Sequence, residues 1–379
     1  MSFRYVIGIL LAVSAGGLAW ADHEPQGYSY SGAASRVQSV RFAPSPTPRP
    51  FAQDRRGSDE EIKKKLDSLL GGLLSPGLAA IAIQDDQILY ERYAKGEDTN
   101  LYPAWSMTKS LVSLSVGHAL CQGHIKSLDD PAQRYVVDVA NTVWGRATLR
   151  QLLQMRSGSP RQDLDRGGDY LYAGTSSGLD MVNGQLPVRQ GMRRFNTKGN
   201  SAAAGERFAY ANMDTDTLGL VVAAATGKPF HQFFQSSVLA AARLEHPSVF
   251  HLDSEGHAVT HAYFFASLRD MARLGRYVVD VAQGRAGDDC LRAYLKEALT
   301  PATEATNSIN QQPVGYGFQF WLDTAAGSNK SEAVRMSGHQ GQDIFMNMRT
   351  GKVVVVLGWR SNLRNTSLQP SSVSAWLVR

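Results

Sequence analysis

Trp105-Ser106-Met107-Thr108-Lys109-Ser110 is the stretch on which everything else in this chain turns. It places a hydroxyl and an amine three residues apart at the head of an apolar run, Leu111, Val112, Leu114, Val116 and Leu120, whose spacing suits a helix. Residues three apart on a helix share a face, with Cβ atoms about 5–6 Å from each other, so the Lys109 amine can reach the Ser106 hydroxyl. A serine hydroxyl is a weak nucleophile at its free pKa, and an amine takes its proton only where burial or neighbouring cations keep that amine partly neutral. The apolar run supplies burial. Ser106 also falls at the helix start, where unpaired N–H groups and the positive end of the dipole favour a developing oxyanion. At average Ser and Lys usage about one S-x-x-K arises by chance in a chain of this length, so spacing alone decides nothing. This one is the only one here, and it sits at a helix start.

Two later stretches point the same way. Phe208-Ala209-Tyr210-Ala211-Asn212 lies just ahead of an apolar helix, Leu218 to Ala225, that ends at Gly227, and it holds the only Y-x-N in the chain. A phenol beside a cation loses its proton more readily than in water, so it can pass protons between an attacking hydroxyl, a leaving group and a later water. In isolation, a Tyr and an Asn in a loop serve structure at least as often. The third stretch is Ser337-Gly338-His339-Gln340-Gly341-Gln342, between two late strands. A glycine-flanked segment brings its backbone close to a ligand. The N–H after Gly341 can face the same oxyanion as the N–H of Ser106, leaving His339 to donate to a substrate or to Tyr210. A lone histidine near a strand end otherwise reads as structural.

The surrounding elements place these motifs. Ser58 with Glu61 forms a capping box ahead of Ile62, Leu66, Leu69, Leu70 and Leu73, an amphipathic helix over 58–74. Leu78 to Ile83 and Ile88 to Tyr90 around Asp85-Asp86 read as a β-hairpin leading towards Ser106. Leu149 to Met155 is an amphipathic helix, and helices over Leu268 to Val281, capped by Ser267 with Asp270, and around Leu291 to Leu299 precede a return of strand signals. These are Gly315 to Trp321, Ala333 to Ser337, Ile344 to Met346 and Val353 to Leu357, with a hairpin turn at Gly351-Lys352. A sheet made from both ends of the chain, with helical material in the middle, follows.

From Ser157 to about Gly205 the periodicity collapses, which suggests loops that wall or cover a site, with Tyr170 and Tyr172 as substrate contacts or as ordinary packing residues. Gly174-Thr175-Ser176-Ser177-Gly178 in that segment matches the G-x-S-x-G nucleophile elbow. That motif needs a buried strand before it and a helix after it, and only the weak strand Asp169 to Tyr172 precedes it.

At the N-terminus, Arg4, an apolar segment from Val6 to Leu18 and Ala19-Trp20-Ala21 describe a secretory signal peptide over residues 1–21, placing the mature protein in the periplasm or outside the cell. An uncleaved inner-membrane anchor is the other reading. Residues 22–57, rich in Ser, Gly and alternating Pro44, Pro46, Pro48 and Pro50, read as a disordered linker. Export would let Cys121 and Cys290 pair, though both can equally be small buried hydrophobes. Without C-x-x-C or H-E-x-x-H, no metal or cofactor is expected. With 43% hydrophobic and 19% charged residues the chain is an ordinary globular protein, and its net charge of +5 is scattered in short runs without interleaved aromatics, which argues against nucleic-acid binding.

S-x-x-K at Ser106 to Lys109, Y-x-N at Tyr210 to Asn212 and H-x-G at His339 to Gly341, in this order, resemble the penicillin-recognising serine hydrolases. The likeness is greatest to the class C β-lactamase-related branch with its 6-aminohexanoate-dimer hydrolases and esterases. It extends from Ser58 onward and includes Ile125 to Pro131, Leu149 to Gly158 and Tyr210 to Gly219. The resemblance implies an α/β (α+β) fold of the β-lactamase/transpeptidase type. An antiparallel sheet flanked by helices (58–120 and 255–379) would join a mainly helical lobe (121–254), with the site between them. It implies Ser106, Lys109 and Tyr210 as catalytic residues working through an acyl-enzyme. Asn212, His339, Gly341 and Gln342 would be substrate-binding positions, with the N–H groups of Ser106 and Gln342 as the oxyanion hole. Where β-lactamases carry a lysine in the third motif this chain has His339, which offers no fixed charge when neutral. A small-molecule ester or linear amide is therefore the expected substrate. The alternatives are a β-lactamase or D-alanyl-D-alanine carboxypeptidase-type activity, or a non-catalytic envelope binding or sensor protein.

Overall fold

Alternating residues build the central sheet from both ends of the chain. The computed structural model describes residues 38–53, 59–71, 77–94, 98–159, 187–195, 202–306, 313–323, 333–338, 341–358, 373 and 376–377. Strands β3 (Gly77–Gln84) and β4 (Gln87–Tyr93) form the expected hairpin, turning at Asp85 with φ 53°. The last strand, β13 (Lys352–Gly358), lies antiparallel against β3, pairing Val355 with Ile81 and Val353 with Ile83. Outward from β13 come β12 (Gln342–Asn347), β11 (Ala333–Gly338), β10 (Trp321–Asp323), β9 (Pro313–Tyr316) and β8 (Thr303–Thr306), all antiparallel. At the other edge, β2 (Ala52–Gln53) pairs with β4 in parallel.

Because strand side chains alternate, each strand supplies two layers of core. Val354, Val356, Ala80, Ala82 and Phe345 face α1 (Glu60–Leu70), whose Ile62, Leu66 and Leu70 are buried together with Trp376. Val353, Val355, Ile81, Ile83 and Ile344 face the opposite way into the large core that holds α2 (Met107–Cys121) and α6 (Leu268–Ala282). The intervening helices include α3 (Leu149–Leu153), α4 (Val188–Phe195) and α5 (Asn212–Thr226), and α7 (Asp289–Ala298) follows α6.

Four expectations change in detail. The cap of α1 is Asp59, whose carboxylate accepts from Glu61 N and Ile62 N at 3.1 and 3.4 Å; a carboxylate there also suits the helix dipole. Ser58 and Leu73 lie outside the described residues. Gly315 to Trp321 is two strands, not one, because Gln319 sits at φ 65° and turns the chain between β9 and β10. The irregular 157–205 segment contains α4, while Tyr170, Tyr172 and the Gly174–Gly178 motif fall outside the described residues.

The Pro-rich 22–57 stretch departs furthest from a disordered linker. Of it, residues 38–53 are built into the fold: β1 (Ser39–Phe42) pairs with β6 (Ser248–His251) in a small sheet completed by β7 (Phe264–Ala266) and β5 (Tyr102–Pro103). The reason is a few anchors strong enough to outweigh the composition. Phe42 is buried against Phe234, and Arg49 pairs with Asp86 at 2.6 Å and with Asp280. The guanidinium of Arg273 donates to the Arg49 carbonyl and lies 4.6 Å from the Phe51 ring centre.

Cys121 and Cys290 form a disulfide that ties the end of α2 to α7 across 169 residues. Among the described residues no helix is long and apolar enough to cross a membrane.

Candidate active site

The small sheet delivers the chain to Ser106. Ala104 N donates to Phe264 O at 2.8 Å just after β5, and Trp105 then takes a φ of 47°, a conformation side-chain-bearing residues rarely adopt. The Trp105 ring rests edge-on against Tyr263 at 5.7 Å. This bend leaves Ser106 at the head of α2, whose first turn closes through Met107 N to Ala104 O, Thr108 N to Trp105 O and Lys109 N to Ser106 O at 3.0–3.1 Å. α2 is buried on every side from Met107 to Gly117, so Lys109 cannot point to water.

Lys109 Nζ lies 2.9 Å from Ser106 Oγ and donates to the carbonyl of His261 at 2.6 Å. Its side chain is 1% exposed, and burial pulls the amine from 10.5 down to about 7 against the opposing charge of Asp216. Near neutrality much of this amine is therefore uncharged, with a lone pair available to the hydroxyl beside it.

Tyr210 comes to the same place from the segment ahead of α5. Ala209 N donates to Met155 O at 2.8 Å, fixing that segment to the end of α3. The Tyr210 ring sits 5.1 Å from Lys109 Nζ, stacks on Trp321 at 5.6 Å, and meets Tyr316 edge-on at 6.3 Å. Asn212 is the first residue of α5 and is half-buried. The helix thus begins six residues before the apolar run starts, since Asn212 to Thr217 are helical, and Asp214, Thr215, Asp216 and Thr217 are buried despite their polarity.

The third motif reaches Ser106 through backbone. Gly338 ends β11 so close to the segment before Ser106 that a Cβ there would stand 2.4 Å from Ala104 O and 3.2 Å from Trp105 Cβ. Gly341, at φ 85°, leads into β12, where Gln342 pairs with Gly338 and its side-chain amide donates to Gly358 O. The Gln342 side chain is thereby turned towards β13, which leaves a role at the site to its backbone. His339 lies outside the described residues.

Several site residues carry no motif. Gln319 ties three helices together: its carbonyl accepts from Ser110 Oγ at 2.5 Å, its amide oxygen from Thr215 at 2.8 Å, and its amide nitrogen donates to Leu152 O at 3.0 Å. Asp214 and Asp216 are buried in α5. Burial pushes the Asp214 carboxyl up to about 8 although Ser157 Oγ donates to it at 2.6 Å, so it is protonated at neutral pH. The available signal was two acidic residues inside an otherwise core-like helix. Cys121, Asp288 and Cys290 place ligand-type atoms within 4.8 Å of one another, but both sulfurs are committed to the disulfide and offer no thiolate to a metal.

Residues 65–364 match the family model described as Beta-lactamase. The chain is 24% identical over 296 residues to the 6-aminohexanoate-dimer hydrolase of Paenarthrobacter ureafaciens, spanning 74% of this chain and 71% of that one. A structure from Bacillus anthracis, described as a candidate 6-aminohexanoate-dimer hydrolase, superposes with a TM-score of 0.71 at 20% identity, covering 93% of this chain and 92% of that one. A D-stereospecific amidohydrolase from Streptomyces sp. gives 0.63 at 18% identity, over 83% of this chain and 97% of its own. At these identities the structural likeness establishes the fold.

Proposed function

Since this chain belongs to the beta-lactamase family and is a serine hydrolase, we propose that it cleaves an ester or linear amide through an acyl-enzyme on Ser106. The observation that carries this reading is the 2.9 Å contact between the Ser106 hydroxyl and an amine held near neutrality by burial. As Ser106 Oγ bonds to the substrate carbonyl carbon, its proton passes to Lys109 Nζ. The oxyanion so formed is met by the backbone N–H groups of Ser106 and Gln342. Lys109 and Tyr210 then return the proton to the leaving alcohol or amine. Water deprotonated through Tyr210 attacks the acyl carbon and releases the acid. Asn212 binds the substrate amide or steadies Lys109.

The substrate class is supported by His339 in place of a lysine, since a neutral imidazole has no fixed charge for a β-lactam carboxylate. The likeness to a relative named 6-aminohexanoate-dimer hydrolase supports it as well. Export to the periplasm or medium belongs to the same proposal and is supported by the N-terminal segment and by a disulfide of the kind that persists in oxidising compartments.

A fluorophosphonate probe tests the nucleophile. It is expected to label Ser106, with Ser106→Ala abolishing both labelling and hydrolysis of a nitrophenyl ester and Ser176→Ala leaving both intact. Labelling at Ser176 would overturn the assignment. A screen of short-chain esters, D-amino-acid amides, ω-amino-acid oligomers and nitrocefin then ranks the substrates; preference for nitrocefin would reject the linear-amide or ester class.

A further inference from the structure

Behind Lys109 stands a buried carboxylate that touches neither Ser106 nor the amine. Asp216 projects from α5 with 1% exposure. One of its oxygens accepts the backbone N–H of His261 at 2.9 Å and the Thr260 hydroxyl at 3.1 Å, and the other pairs with His261 Nδ1 at 2.8 Å. His261 is thus gripped by backbone and ring together, and its carbonyl, on the far side, is the group that receives Lys109 Nζ. One turn along α5, Gly219 makes room for this: a Cβ there would lie 2.6 Å from Thr260 Oγ1.

We infer that Asp216 is a positioning residue for the base, acting through His261 to orient the Lys109 amine and to balance the charge that amine acquires when Ser106 gives up its proton. The inference rests on the Ser106–Lys109 reading above. Its logic is one of distance. A carboxylate in direct contact would hold Lys109 as a permanent ammonium with no lone pair for the serine proton. A peptide carbonyl accepts an N–H from the neutral amine or from the ammonium, so it fixes direction without fixing protonation. As the O–H bond of Ser106 breaks and the new N–H bond forms, a positive charge appears on Nζ in a site almost closed to water. Attraction to Asp216 strengthens at that moment, which lowers the barrier more than it stabilises the resting state.

Among the described residues, the other titratable groups around the amine do not supply this charge. Tyr210 presents its ring face, Asp214 on the same helix is protonated at neutral pH, and the His261 imidazole is turned to Asp216.

The test reads Lys109 directly. Protein labelled with ¹³Cε-lysine is titrated by NMR, with Lys109→Met identifying the resonance, alongside the pH profile of kcat/KM for a nitrophenyl ester. Asp216→Asn is expected to lower the Lys109 midpoint by about one pH unit, as a charge one residue removed does at an effective dielectric near 20. The acid limb of kcat/KM should move with it, and the plateau should fall roughly tenfold. Asp216→Glu, which keeps the charge, should hold the parent midpoint. An unmoved midpoint in Asp216→Asn, or a rate loss equal at every pH, would mean a structural role only and would overturn the inference. Should Asp216→Asn fail to fold, His261→Ala keeps the carboxylate and removes the ring that aims it. It should leave the midpoint in place and lower kcat several-fold, and an unchanged kcat would refute the positioning. The titration can be run on Ser106→Ala, so coupling between Lys109 and Asp216 is readable even if Ser106 proves not to be the nucleophile.

Discussion

Replacing Lys109 by methionine should abolish ester hydrolysis and, in the same protein, change how stability depends on pH. The unfolded lysine titrates near 10.5 and the native one near 7, because burial disfavours the ammonium. Between those values the unfolded chain binds more protons than the native one, so the parent's stability rises with pH across that window. At 1.36 kcal/mol per pH unit, the gap between 10.5 and about 7 corresponds to a penalty of about 5 kcal/mol. That penalty is fully present below pH 7 and relaxes by roughly 2 kcal/mol from pH 7 to pH 9. The methionine variant, of nearly the same length and with nothing to titrate, escapes it. Urea unfolding of both proteins at several pH values should therefore show the variant more stable at pH 7, with its advantage shrinking by roughly 2 kcal/mol by pH 9. The parent's kcat/KM should climb along an acid limb centred near pH 7. A stability difference independent of pH, together with a limb displaced towards 10, would show that Lys109 is an ordinary charged lysine and would remove the base from the mechanism.

Three other perturbations test the scaffold. Gly338→Ala drives a methyl to 2.4 Å from Ala104 O and should lower stability by about 1–3 kcal/mol while cutting probe labelling of Ser106; unchanged melting and labelling would mean the β11 end does not set the position of Ser106. Removing the disulfide with Cys121→Ala and Cys290→Ala frees a link across 169 residues and should cost roughly 2–5 kcal/mol in urea unfolding, and a smaller change would place its role elsewhere. Asp214 is protonated up to about 8 in the native state but only to 3.8 when unfolded, so its contribution is present below pH 4 and lost as the pH rises to about 8. Asp214→Asn should accordingly gain on the parent steadily from pH 4 to pH 8 in thermal melts, and parallel curves would show that the carboxyl ionises freely.

Much of the fold was legible because its signals are periodic. Val353 to Leu357 and the Leu78 to Tyr90 hairpin advertise a sheet, and in the structure they are neighbours although about two thirds of the chain lies between them. Boundaries followed local chemistry where a single residue decided them, as with Ser267, which accepts from Asp270 N, and Gly227 at φ 66°. What escaped was structure held by a few distant contacts. Phe42 and Arg49 anchor a stretch whose composition is that of a linker, and their partners, Phe234, Asp86 and Asp280, cannot be known before the fold is. Gln319 splits an apolar run because its amide and carbonyl are taken by three helices, again a tertiary fact.

The candidate site divides along the same line. Ser106 and Lys109 could be paired from sequence because one turn of helix fixes their separation. Tyr210 could be added only by the order of the motifs, since its approach to Lys109 depends on the Met155 carbonyl holding Ala209. The His261 carbonyl was beyond reach, because a backbone oxygen has no residue identity to read. Asp214 and Asp216 show how little the residue type alone conveys. They lie two apart on one buried helix, yet burial keeps Asp214 protonated at neutral pH, while Asp216 receives a backbone N–H, a hydroxyl and an imidazole from the segment holding Thr260 and His261. The segment carrying Thr260 and His261 supplies these donors and also the carbonyl that receives Lys109 Nζ, so the direction in which that amine points depends on residues that only the fold brings to it.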